Sequence, residues 1–89
     1  KRLAVVVIPS LVDLIAYGRG QSLPRLSRRL ARLAAREGFQ LIDLLPTMAT
    51  RSPDWQTYFL PCDYHWSRLG NRVAAEIVGE ALYGLSPAP

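Results

Sequence analysis

The sequence predicts an α/β fold with a parallel sheet. Two short apolar segments, Leu3 to Pro9 and Gln40 to Leu44, read as strands, and an amphipathic helical stretch lies between them. A second amphipathic helix follows Ser67. A buried strand, a helix and another buried strand make a right-handed βαβ crossover, and that connection sets the strands parallel.

Each element has its own warrant. Val5-Val6-Val7-Ile8 is β-branched with no polar alternation, so Leu3 to Pro9 reads as a strand buried on both faces, ended by Pro9-Ser10. Leu11 to Tyr17 is a short apolar turn or helix that Gly18-Arg19-Gly20 breaks. Ser22 is expected to cap the next helix, with Pro24 near its start and Gly38 as its stop. Leu23, Leu26, Leu30, Leu33 and Ala34 recur at helical spacing and form its apolar stripe. Gln40 to Leu44 is the second strand, closed by Pro46. Thr47 to Trp55 has few periodic apolar residues and contains Pro53, which predicts a loop with at most one helical turn. Tyr58-Phe59-Leu60 reads as a short extended piece. Ser67 then caps the last helix, whose stripe is Leu69, Val73, Ile77 and Ala81, widened by Val78 and Leu82. Gly84 ends it, and residues 85–89 read as a disordered tail.

Composition bounds the function. Eighty-nine residues with a 49% apolar fraction suit one small folded domain at most. No run reaches the roughly 18 apolar residues that a membrane span needs. Cys62 is the only cysteine, which excludes an internal disulfide and a cysteine-based metal site; no metal or cofactor is expected. The chain starts at Lys1, almost inside a strand, and nothing there resembles a signal peptide, so localisation stays open.

The formal charge is +4, and Arg25, Arg28, Arg29, Arg32 and Arg36 crowd one helix. The favoured reading is a solvated face opposite the leucine stripe. No aromatic interleaves the arginines, and no nucleic-acid motif accompanies them, so no nucleic acid is expected. The alternative is a non-catalytic interaction module that binds an anionic partner through the Arg-rich helix, residues 23–37.

The chemistry-bearing candidates are Asp63 and His65. His65 is the only histidine, and a carboxylate two positions away is what a catalytic imidazole needs. In an extended segment the two point the same way, while Tyr64 and Trp66 take the other face. The carboxylate can then accept the Nδ1 proton and leave Nε2 free to act as a general base. The plain alternative is a surface Asp–His pair beside a helix start. Cys62 could pair with His65 as a nucleophile, but a lone cysteine after a proline is more often a packing residue. Asp43 lies at the carboxyl end of its strand, where α/β sites open, yet capping the following segment is the simpler role. Asp13 and Tyr17 could line a cleft after the first strand. Trp55 and Trp66 read as packing residues rather than platforms for a sugar.

Asp63-Tyr64-His65-Trp66, with Gly70 and Ala74-Ala75 behind it, resembles the last conserved block of the SGNH (GDSL-type) hydrolases and their acetyltransferase relatives. Val5-Val6-Val7-Ile8-Pro9-Ser10 is similar to a late parallel strand of that family, and Gly38-Phe39-Gln40-Leu41-Ile42-Asp43-Leu44 to its following strand. The resemblance runs from Leu3 to Leu82. It implies a three-layer, doubly wound parallel-sheet (SGNH/flavodoxin-like) domain and a Ser-His-Asp triad, with Asp63 and His65 as two of its members. Ser67 stands where many relatives carry Asn, a change that keeps a helix cap.

No Gly-Asp-Ser nucleophile block occurs in the chain, and no oxyanion donors stand in a recognisable setting. Two strands alone do not make a stable sheet. Residues 1–84 are therefore expected to be the C-terminal portion of such a domain, with its N-terminal nucleophile part absent. The expected activity is that of an ester hydrolase or O-acyltransferase, not active as this fragment alone. Its partners would be an acyl ester, for instance an acetylated carbohydrate or lipid, and the remainder of the domain. An inactive fragment that keeps only the core is the further alternative.

Overall fold

A computed structural model describes residues 2–52, 54–61 and 65–84. The chain runs through β1 (Ala4–Val7), α1 (Leu11–Gly18), α2 (Arg25–Glu37), β2 (Gln40–Asp43), α3 (Leu44–Arg51), a 3₁₀ turn (Trp55–Tyr58) and α4 (Arg68–Tyr83). β1 and β2 pair in parallel, Ala4 opposite Gln40 through Val7 opposite Asp43. The crossover expected from the sequence is there, carried by two helices rather than one.

Local chemistry sets most element ends. Ser10 begins α1 by accepting the Asp13 amide on its Oγ at 3.1 Å. Asp43 begins α3 in the same way, with its Oδ1 accepting the Leu45 amide at 3.1 Å, so its role as a cap holds. Ser67 caps α4 through the Gly70 amide. Gly38 closes α2 and Gly84 closes α4, each in the left-handed conformation that a helix stop of this kind needs.

Three expectations need correction. Ser22 does not cap α2: the helix starts at Arg25 behind Pro24, without a side-chain cap, so the Arg-rich helix spans 25–37 and not 23–37. The stretch after β2 is not a loop, because α3 makes two turns directly from Asp43. Pro46 fits there because it stands in the first turn, where its missing N–H would have no helical acceptor. Finally, β1 is shorter than Leu3 to Pro9 and is not buried on both faces. Ala4 and Val6 are exposed, and Val6 keeps 39% of its surface open while Ile42, its partner in register, is buried. The second edge of β1 has no strand against it among the described residues. Pro53 and the expected disordered tail, 85–89, lie outside those residues.

The core sits between α1, α3, the 3₁₀ turn and α4. Leu14, Leu44, Leu45, Met48 and Tyr58 are each almost wholly removed from solvent. Each such side chain contributes about 1.5–3 kcal/mol of burial. Tyr58 can be there because its hydroxyl donates to the Met48 carbonyl at 2.9 Å. Val73, Ala74 and Ile77 bring α4 onto this core, shifted from the predicted stripe so that Ala81 and Leu82 are exposed. Arg51 of α3 bonds Glu76 of α4 at 2.8 Å and joins the two helices.

Candidate active site

His65 begins the second of two short antiparallel arms. Phe59 and Trp66 form an isolated antiparallel bridge, the Leu60 amide donates to the His65 carbonyl at 2.9 Å, and the Ser67 amide donates to the Tyr58 carbonyl at 2.8 Å. Ser67 works twice more: its hydroxyl donates to the Thr57 carbonyl and accepts the Gly70 amide. The backbone from His65 to Ser67 is thus tied to the 3₁₀ turn, to the residues that follow it and to the first turn of α4.

Gly70 allows this junction to close. A Cβ there would overlap the Tyr58 carbonyl oxygen and sit 3.1 Å from its carbon. Only a residue without a side chain lets α4 come this near to Tyr58.

His65 opens onto a cleft of about 580 Å³ at the carboxyl end of β1, the end at which α/β sites form. Ile8, Pro9 and Val12 form one wall, Phe59 and Trp66 the other; Ser10 and Asn71 add polar groups to His65. An apolar hollow with a few convergent polar groups is the usual form of a small-molecule site.

Of the predicted site residues, His65 lies on this cleft. Asp63 and Cys62 lie outside the described residues. Trp66 was expected on the opposite face from His65, yet both line the cleft, since residues 65–67 bend into α4 and do not continue as a regular strand. Asp13 and Tyr17 do not line it: Asp13 sits in the first turn of α1, and Tyr17 packs against the core. Trp55 is a packing residue, its ring lying over Gly18 and its Nε1 donating to the Ala49 carbonyl at 3.0 Å.

Ser10 and Asn71 escaped the sequence reading as cleft residues. Each had a signal. Ser10 follows a strand and caps a helix, which puts it at the sheet's carboxyl end. Asn71 is four residues past the Ser67 cap, its amide bonded to the Ser67 carbonyl, so it shares the side of α4 that meets the His65 arm.

Tyr58 carries a displaced ionisation behind the cleft. Burial pushes its phenol above the ordinary value, while the nearby Arg51 guanidinium acts in the opposite direction. A phenol held neutral and bonded to a carbonyl is a structural pin behind the site.

Among the described residues no cluster of side chains could hold a metal ion, and no helix is long and apolar enough to cross a membrane. No curated protein and no solved structure matches the chain. A family model does: the SGNH hydrolase-like domain of acetyltransferase AlgX, over residues 2–88. With a parallel α/β core and a match over nearly its whole length, the chain belongs to this SGNH hydrolase-like, acetyltransferase AlgX family.

Proposed function

We propose that this chain supplies the base half of an acyl-transfer site: His65 is the general base, Asp63 orients it, and the nucleophilic serine comes from the rest of the domain. The observation that carries the reading is the position of His65, on an apolar cleft at the carboxyl end of β1. Membership of an acetyltransferase family makes an acetyl or other acyl ester the natural substrate.

The chemistry follows from these roles. His65 Nε2 takes the serine proton as the hydroxyl oxygen attacks the acyl carbon. The imidazolium, steadied by the Asp63 carboxylate, then protonates the departing alkoxide. In the second half His65 deprotonates water or an acceptor hydroxyl, which attacks the acyl-enzyme and releases the serine. Donors for the oxyanion belong to the remainder of the domain. The free edge of β1 and its exposed Leu3, Val6 and Ile8 support a larger, three-layer sheet to which residues 1–84 contribute one part.

The test is made in the protein that carries this chain together with its serine. His65→Ala should remove most turnover of an activated acetyl ester without unfolding the domain. Near-normal turnover by a folded His65→Ala protein would overturn the assignment.

A further inference from the structure

We infer that α2 is a docking surface for an anionic bilayer, a property separate from the His65 site. In sequence α2 carries an apolar leucine stripe opposite its arginines, and an amphipathic helix normally buries such a stripe. Instead Leu26 keeps 62% and Leu33 37% of its surface exposed. Both border a groove of about 630 Å³ whose other walls are Leu30 and the arginines Arg29, Arg32 and Arg36. Leu26 and Leu33 are seven residues apart, so they emerge on one side of the helix, two turns from each other.

The charge pattern works against the isolated helix. Arg25 and Arg29, Arg28 and Arg32, and Arg32 and Arg36 are like-charged pairs at i, i+4, which destabilise a helix. The first turn has no acidic residue and no side-chain cap, so the leading arginines face the positive end of the helix dipole. Glu37 is the helix's only acid, and it pairs with Arg36 at 3.6 Å at the far end. An external anion relieves each of these strains.

The exposed leucines select among anions. A solvated polyanion satisfies arginines but gains nothing from Leu26 or Leu33. Single-stranded nucleic acid would use aromatic stacking, and residues 25–37 contain no aromatic; a duplex, like any solvated polyanion, leaves the leucines unused. An anionic bilayer uses both features: leucines enter the boundary between headgroups and acyl chains while guanidinium groups pair with phosphates.

Co-sedimentation of the full chain with vesicles, corrected for what pellets without vesicles, tests this. It should pellet with phosphatidylcholine vesicles that contain phosphatidylglycerol, not with pure phosphatidylcholine, and the bound fraction should fall at high salt. Changing Arg29, Arg32 and Arg36 together to Gln should weaken partition on the order of a hundredfold, at about fivefold per arginine. Leu26→Asn with Leu33→Asn should weaken it roughly tenfold, yet leave binding to soluble polyglutamate unchanged. Both variants alter exposed side chains, and circular dichroism checks that each stays folded. Failure to pellet, equal pelleting with both vesicle types, or leucine variants that partition like the parent would overturn the proposal. The last result would assign α2 to a soluble polyanion.

Discussion

Gly70→Ala separates helix propensity from packing at the candidate site. At an ordinary exposed helical position this change stabilises by about 1 kcal/mol, because alanine loses less backbone entropy. Here the new methyl would fall well inside the 3.0 Å that real Cβ contacts do not cross, against a backbone oxygen that has no rotamer to yield. Overpacking of this kind costs roughly 1–3 kcal/mol, towards the upper end when the neighbour is main chain. The net effect should be a loss of roughly 1–2 kcal/mol, read as a fall in Tm of about 5–15 °C for a domain of this size. Relief requires α4 to withdraw from Tyr58 by roughly an ångström, which stretches the Ser67-to-Tyr58 hydrogen bond beside His65. A displacement of that size at a catalytic base costs on the order of a hundredfold in turnover. Thermal unfolding and acetyl-ester turnover of the protein that carries the serine are the two assays. An unchanged or raised Tm, with turnover intact, would show that the Gly70 contact neither limits packing nor sets His65.

Tyr58→Phe leaves the buried Met48 carbonyl without its phenol donor and should cost about 1–2 kcal/mol in denaturant unfolding. Because the folded pKa of Tyr58 is raised, its contribution is complete below the unfolded value of about 10 and is lost as pH rises through the folded value; unfolding in alkaline buffers should show this slope, and Tyr58→Phe should flatten it. If Asp63 orients His65, Asp63→Asn should lower acyl turnover by orders of magnitude, towards the roughly 10⁴ of the serine-protease precedent, whereas Cys62→Ser should leave it intact. A Cys62→Ser protein without activity would move the nucleophile to the thiol. The chain by itself should associate through the open edge of β1, and sedimentation should show it; a monomer with strongly protected amides from Leu3 to Ile8 would refute the exposed-edge argument.

Much of the frame was legible because its signals are local. A β-branched run, a capping serine and a terminal glycine each act within a few residues, so β1, β2, α4 and the Gly38 and Gly84 stops could be read directly. The misreadings arose where distant contacts decide. α3 has a proline and weak periodicity, and the Asp43 cap together with burial of Leu44, Leu45 and Met48 makes it a helix all the same. The two faces of β1 look alike in sequence, and only the packing shows that Val6 lies open while Ile42 is covered. His65 announced itself as a lone histidine with a carboxylate nearby. Its cleft did not, because Ile8 and Val12, Phe59, and Asn71 converge from three separate parts of the chain.

The way His65 is held bears on how half a site can be useful. A base must keep its place before the nucleophile arrives, since ordering it during the reaction would add to the barrier. Here the fixing comes from main-chain bonds at Tyr58, Leu60 and Ser67 and from the close approach of Gly70, in the 3₁₀ turn, the short arms that flank it and the start of α4. The buried core behind them, with Tyr58 pinned to Met48 and Arg51 joined to Glu76, resists tilting of α4. None of these supports uses a residue from outside the chain. The cleft in front is different: Ile8 and Val12 remain largely exposed at its rim. On the proposed assignment, this chain fixes the base, and the rest of the domain would bring the serine to it and determine which acyl group fits between them.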